Sequence, residues 1–449
     1  MPEFRLYKGA EKMKFAAAGD ILITKRIPES NAGVKEVSEF IKRADLGVAN
    51  LETTITDYSC FPSAYSGGTW LTADKGCLRD VRRYGFDFLG TANNHIMDYS
   101  YDGLFMTLSA LDDEGIYHAG AGKNLYEASR PVTIETDNGR AGIIDICSTF
   151  EKAAMAGEQT ARQPGRPGLN PLRFSEYYRI SPEHAVKLNE IAGATKINCL
   201  REKHREQGFV DPPAPGRIEF GKEQFEISDG MEGRFSKCFP GDVERTVQGI
   251  KEALYTCEEV IVMFHSHEIK ADEEWQADYF AEEFAHKCID AGACAVIGSG
   301  THQIKGIEIY KGCPVFYGLG NFIFENEFVR CLPADYMEKY GIDINSSGAY
   351  GIEVRSMRAK KSLYDTKEVY RTIVPYFEIT DHRCTAIELL PLTLGTDRKR
   401  YEKNLPYPAS EEEAHEILDY INIACECYNV KWKYENGVFR LNDGERLFF

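Results

Sequence analysis

Short apolar runs, each closed by a polar cluster and followed by a segment of helical spacing, recur along the first third of the chain. Residues 14–20, Lys-Phe-Ala-Ala-Ala-Gly-Asp, predict a strand that ends in a carboxylate, and 46–52, Leu-Gly-Val-Ala-Asn-Leu-Glu, predict a second that ends the same way. A third, short and buried, is predicted at 86–90, with 91–98 as the loop at its carboxyl end. Apolar residues then return at helical spacing over 102–111. Further helices are predicted at 37–44 and 74–84, and a further strand at 141–147. Strands alternating with helices indicate a βαβ-rich sheet.

The alternation lapses between Ser148 and Gly241. Two breaker clusters, 163–168 and 211–216, flank one predicted helix at 182–202. A stretch this long without strong periodicity is expected to be an inserted segment that could act as a lid. Arg162, Arg166 and Arg173 are its candidate anion handles, if they are not simply solvated. Regularity returns with a helix at 243–257 and a strand at 259–264 that ends in His265-Ser266-His267-Glu268. A long amphipathic helix at 272–291 leads to a strand at 294–298, which ends in Ser299-Gly300-Thr301-His302, and 314–322 closes the series. Beyond Ser346, alternating segments at 350–354, 376–380 and 387–390 predict antiparallel strands, and 410–428 a final helix. The expected organisation is one α/β domain over 12–345 carrying the insertion 148–241, with 346–449 packed on it.

Composition narrows the class. Of 449 residues 43% are hydrophobic, enough for a large core, yet no apolar run approaches the length of a membrane span. The start of the chain lacks a charged-then-apolar leader. A formal net charge of −17 opposes nucleic acid and anionic membrane surfaces, so an anionic substrate would need a locally positive site such as a bound metal. Thirteen cysteines without a CxxC pair read as reduced thiols, which leads to an expected cytoplasmic location.

Ligands of open α/β sheets bind outside the carboxyl ends of the strands. Five such ends carry metal-ligand types: Asp20, Glu52, Asn94-His95, His265 with His267, and His302. A lone histidine there is usually structural, but five convergent ends are not easily accidental. Carboxylate, amide oxygen and imidazole without thiolate suit Mn, Zn or Fe. Such a set can hold two divalent ions with a carboxylate between them, a clamp for the attacking and leaving oxygens of a hydrolysis. His95, oriented by Asp98, would be free to protonate the leaving group.

Six stretches in order, Gly19-Asp20, Asn50-Leu51-Glu52-Thr53-Thr54-Ile55, residues 93–99, His265-Ser266-His267-Glu268, residues 298–302 and residues 317–322, resemble the capsule-synthesis protein A family. That family is named for poly-γ-glutamate capsule biosynthesis and is similar in fold to the calcineurin-like metallophosphoesterases. The resemblance implies a four-layer αββα sandwich with a metal centre at the strand ends. It implies Asp20 and His302 on one metal, Asn94 and His265 on the other, Glu52 as the bridge and His95 as the catalytic histidine. Two departures stand out: Leu22 and Gly300 each occupy a position where the pattern has a histidine. His267 is the residue expected to compensate.

The function expected from these residues is a metal-dependent hydrolase of a phosphate ester or a γ-glutamyl-type amide, with Arg26 and Asn321 holding the substrate's anionic group. A non-catalytic polyglutamate-binding component of capsule synthesis or export is the alternative, and a scaffold with a relic site a third reading.

Overall fold

The Met13–Leu22 strand is buried along almost its whole length, so both of its faces and both of its edges must be covered. It pairs in parallel with Leu46–Leu51 on one side and antiparallel with Arg371–Thr380 on the other, while Asn321–Phe324 joins it in parallel near its carboxyl end. A computed structural model describes residues 12–271, 273–357 and 366–442. The sheet built on this strand has ten strands. One half is parallel, through Leu46–Leu51, Phe88–Gly90 and Tyr117–Ala119. The other half is antiparallel, through Arg371–Thr380, Arg383–Thr393 and the Trp432–Glu435 and Val438–Leu441 hairpin.

A second sheet of six strands is centred on Glu259–Ser266, which pairs in parallel with Gly139–Cys147 and Ala295–Gly300. Neither sheet closes into a barrel. One buried cluster joins them: Phe15, Val48, Phe88 and Phe377 of the first sheet pack with Ile261, Met263, Ile297 and Phe316 of the second. A second cluster seats Val34, Val37 and Ile41 of the Ala32–Ile41 helix on the other face of the first sheet, beside Ala16, Ala18 and Ala49. A third does the same for the second sheet, where Val260, Val262 and Phe264 meet Phe280, Phe284 and Ile250.

Local sequence explains the helix starts. Asn31 accepts from the Val34 amide at the head of Ala32–Ile41, and Ser410 with Glu413 forms a capping box for Glu411–Cys425. No described helix is long and apolar enough to cross a membrane. None of the 13 cysteines is in a disulfide.

Three expectations require correction. Residues 350–354 alternate like a strand but lie in the helix Gly348–Arg355, because Ser347 caps it by accepting from the Tyr350 amide. The helix expected from 272 begins only at Tyr279: Glu273–Ala277 is a strand, Asp278 is the helix cap, and position 272 lies outside the described residues. In the insertion the single predicted helix is two, Pro182–Thr195 and Cys199–Glu206, broken at Lys196 with φ +56°. The insertion also holds a four-stranded sheet in the order Arg217–Phe220, Glu223–Ile227, Phe174–Ile180, Gly233–Cys238. Its strands are only half-buried and rich in charge, so they leave no apolar run to read.

Candidate functional site

The parallel arrangement delivers the carboxyl ends of Met13–Leu22, Leu46–Leu51 and Phe88–Gly90 to one edge of the first sheet, and those of Glu259–Ser266 and Ala295–Gly300 to the facing edge of the second. Asp20, Glu52, Asn94, His95, Asp98, His265 and His302 are all buried where these ends meet. Glu52 is the centre. Its carboxylate is fully buried, and among the described residues neither oxygen has a hydrogen-bond partner. Four imidazoles surround it: Oε1 lies 3.7 Å from His265 Nε2 and 3.9 Å from both His267 Nε2 and His95 Nε2, while Oε2 lies 3.9 Å from His302 Nδ1. An orphaned buried carboxylate is costly. Burial, with the nearby negative charges of Asp20 and Asp98, pushes the Glu52 carboxyl well above the usual carboxylate range.

Asp20 stands in a different environment. Burial raises its carboxyl, but a hydrogen bond and charge interaction with His265, together with His302 and Asn50, outweigh that and hold it well below the ordinary range. Asn50 Nδ2 donates to Asp20 Oδ1 at 2.8 Å, and the Gly300 amide donates to Oδ2 at 2.9 Å. This explains one departure seen in the sequence. Gly300 has φ +114°, and a Cβ there would lie 2.7 to 2.9 Å from the Ser266 backbone, so a histidine side chain does not fit.

Among the described residues two groups of side chains each bring their donor atoms within 4.8 Å of one another: Asp20, Glu52 and His265, and Glu52, His267 and His302. They differ from the grouping implied by the family resemblance, but they share Glu52. His267, which offers itself as the compensating residue, is thus within reach of Glu52 and His302. Burial, then the neighbouring His265 and His302, keep its imidazole proton affinity well below normal, and burial lowers that of His302 as well. Neutral imidazoles beside an unpartnered carboxylate fit a divalent ion. Asn94 Oδ1 sits 2.9 Å from His265 Nε2, on the same atoms.

His95 belongs to neither group. Its Nδ1 lies 2.7 Å from Asp98 Oδ2, and Asp98 also accepts from the Leu71 amide at 2.8 Å and the Gly67 amide at 3.1 Å. Burial raises the Asp98 carboxyl against these partners. The loop that carries His95 is braced from both sheets. Asn93 donates to Asn50 Oδ1 and to the Leu51 carbonyl, and the buried Asp145 on Gly139–Cys147 accepts from the Ala92 amide at 2.7 Å. His302 has φ +60°, a strained setting for a non-glycine residue. Asn321 orients its ring, with Oδ1 2.9 Å from His302 Nδ1 and Nδ2 donating to the Val369 carbonyl.

Asn321 is therefore spent on His302 rather than facing a substrate. Arg26 is spent as well: its guanidinium forks onto Asp80, with Nε 2.6 Å from Oδ2. Arg173 makes the same bidentate pair with Asp242, and Arg166 donates to the Met155 carbonyl. A cavity of about 520 Å³ opens beside the imidazoles, lined by His95, His267 and His302, by Leu22 and Phe324, and by Arg355. Leu22 thus forms apolar wall where the pattern has a ligand. Arg355 was not legible in the sequence, because its helix reads as a strand.

Lys305 supports the His265-to-Glu268 turn from behind, donating to the Glu268 carbonyl. Burial brings its ammonium down to about 8 from 10.5, against the pull of Glu268 and Asp278. Between these values the unfolded lysine holds a proton that the folded one has lost, so stability rises with pH across that window. Relative to Lys305→Met, the protein is expected to gain about 3 kcal/mol in urea unfolding from just below pH 8 to above pH 10.5.

The description "Bacterial capsule synthesis protein PGA_cap" belongs to a family model that matches residues 14–326, a span that contains every donor described above. The chain belongs to this family. The chain is 27% identical over 438 residues to a Sinorhizobium fredii protein, y4sH, covering 95% of this chain and 92% of that one. Capsule biosynthesis protein CapA of Bacillus anthracis is 22% identical over 381 residues, 81% of this chain and 73% of its own. A Mycobacterium tuberculosis protein described as a probable polyglutamine synthesis accessory protein is 25% identical over 284 residues, 63% and 56% of the two chains.

Proposed function

We propose that this family member is a metal-dependent hydrolase acting on a phosphate ester or a γ-glutamyl-type amide, on a helix–sheet–sheet–helix frame of the metallophosphoesterase kind. The observation that carries the reading is the buried Glu52 carboxylate, without a hydrogen bond and ringed by four imidazole nitrogens beside an open cavity. Asp20, Glu52, His265, His267, His302 and the Asn94 oxygen would hold one or two divalent ions of the Mn, Zn or Fe type. Such ions, when bound, supply positive charge that polarises a phosphoryl or carbonyl group and offsets the charge of an anionic substrate. His95 Nδ1 bonded to Asp98 leaves Nε2 turned toward Glu52, in position to hold the proton that the leaving group takes. Asp98 fixes the ring, and its own bonds to the Leu71 and Gly67 amides fix Asp98.

Elemental analysis combined with a turnover screen tests the reading. Bound transition metal together with hydrolysis of phosphoesters or γ-glutamyl peptides supports it; loaded protein that cleaves neither rejects it. That the mycobacterial relative is described as a probable accessory protein favours a second reading, a non-catalytic polyglutamate-binding component. Polymer binding without turnover would select it, although a net charge of −17 is a poor match for a polyanion.

Gly67 offers a local check. A Cβ at this position would lie 2.6 Å from Asn94 Nδ2 and 2.7 Å from His95 Nε2, both ends of side chains rather than backbone. Gly67→Ala is expected to lower kcat by roughly 10- to 100-fold by displacing His95, with the melting temperature little changed. An unaltered kcat would show that turnover does not depend on the position of His95.

A further inference from the structure

We propose that Arg355 binds the substrate's carboxylate and that the cavity accepts an α-amino-acid end, its ammonium group taken by Glu274 and Asn326. This deepens the hydrolase reading and rests on it for the reacting end of the ligand. The cavity of about 520 Å³ is roomier than a lone phosphate needs, and the imidazoles occupy only part of its wall. Among the described residues Arg355 is the one arginine on that wall, from a helix remote in sequence. Its Nη1 donates to Thr69 Oγ1 at 2.9 Å, and among the described residues no carboxylate pairs with it. In a chain with 70 acidic residues that is a telling omission, because Arg26, Arg173 and Arg234 are each matched to a buried aspartate. A guanidinium set against the hydroxyls of Thr69 and Tyr336, with no carboxylate to neutralise it among the described residues, keeps its charge for a planar carboxylate.

The acceptors lie on the same cavity. Among the described residues Glu274 takes one hydrogen bond, from Gln303 Nε2 at 3.0 Å, and Asn326 Oδ1 is buried without a partner. A carboxylate and an unpartnered amide oxygen repel a phosphate dianion but welcome an ammonium group. One cation with two acceptors complements a zwitterion. A γ-glutamyl compound presents that pair of charges on the carbon chain that ends in the scissile amide.

Calorimetric titration of the full-length, metal-loaded chain in a His95→Ala background, which blocks turnover, tests this with γ-glutamylalanine, its α-carboxamide, its N-acetyl form and inorganic phosphate. Arg355→Ala should weaken γ-glutamylalanine by roughly 30-fold while leaving the already weak α-carboxamide unchanged. Glu274→Gln should weaken the parent by about 10-fold and spare the N-acetyl form. Equal affinity for parent and carboxamide with Arg355 in place overturns the proposal, and that comparison needs no variant at Arg355 that might misfold. Phosphate bound more tightly than the peptide overturns it too. Preserved ligand preferences with no hydrolysis by the His95-containing protein would reject the hydrolase reading alone; hydrolysis with no carboxylate preference would reject the Arg355 assignment alone.

Discussion

Glu52→Gln is expected to abolish the stabilisation that Mn or Zn gives the protein while leaving the metal-free protein no less stable. Both donor groups use this carboxylate, so its loss removes the shared ligand from each. At a metal concentration about 1,000 times Kd, binding to the folded state alone adds about 4 kcal/mol to the unfolding free energy. That gain should fall close to zero in the variant. In the metal-free protein the carboxylate is buried, lacks a hydrogen bond and is pushed upward by Asp20 and Asp98, so a neutral amide of the same shape sacrifices nothing there. Protons compete with metal at such a group, and wild-type affinity should rise with pH until Glu52 is ionised. Thermal melts with metal and with chelator, paired with elemental analysis, measure all of this. An equal metal-induced shift in both proteins would remove Glu52 from the centre.

The second large effect is on turnover. His95→Ala should lower kcat by a factor of about 10² to 10⁴, the range for loss of a positioned acid or base. Bound metal should stay the same, because His95 contributes to neither donor group. Asp98→Asn should also lose activity, since an amide in place of the carboxylate that faces His95 Nδ1 permits the reversed tautomer. Metal content and kcat, measured on the same preparations, separate the two roles. A His95→Ala protein that loses its metal would make His95 a ligand instead.

The candidate site was legible to the extent that it lies at strand ends. In a parallel sheet each apolar run points its carboxyl end to the same edge, so Asp20, Glu52, Asn94, His95, His265 and His302 could be gathered from periodicity alone. Pairing between distant segments was not. Arg26 sits six residues past Asp20, yet what decides its role is Asp80, on the distant helix Gly76–Arg82. Thr69 and Arg355 touch across 286 positions of sequence, and no local pattern announces such a contact. Asn321 follows a readable strand signal, but its backbone and ring partners, Val369 and His302, lie on other segments. The residues 350–354 alternate polar and apolar side chains, and the Ser347 cap overrides that signal. The half-buried sheet of the insertion escaped for the opposite reason: its strands cover too little apolar surface to alternate.

The antiparallel partnership of Met13–Leu22 with Arg371–Thr380 also has a cost in time. A ribosome adding 5 to 20 residues per second needs on the order of 20 to 70 seconds to pass from the first of these strands to the second. Throughout that interval a strand that the finished protein buries along almost its whole length is outside the exit tunnel with one long edge unpaired, an invitation to strand-to-strand association with other nascent chains. Chaperone engagement of the growing polypeptide should therefore begin early and be released only after residue 380 has emerged.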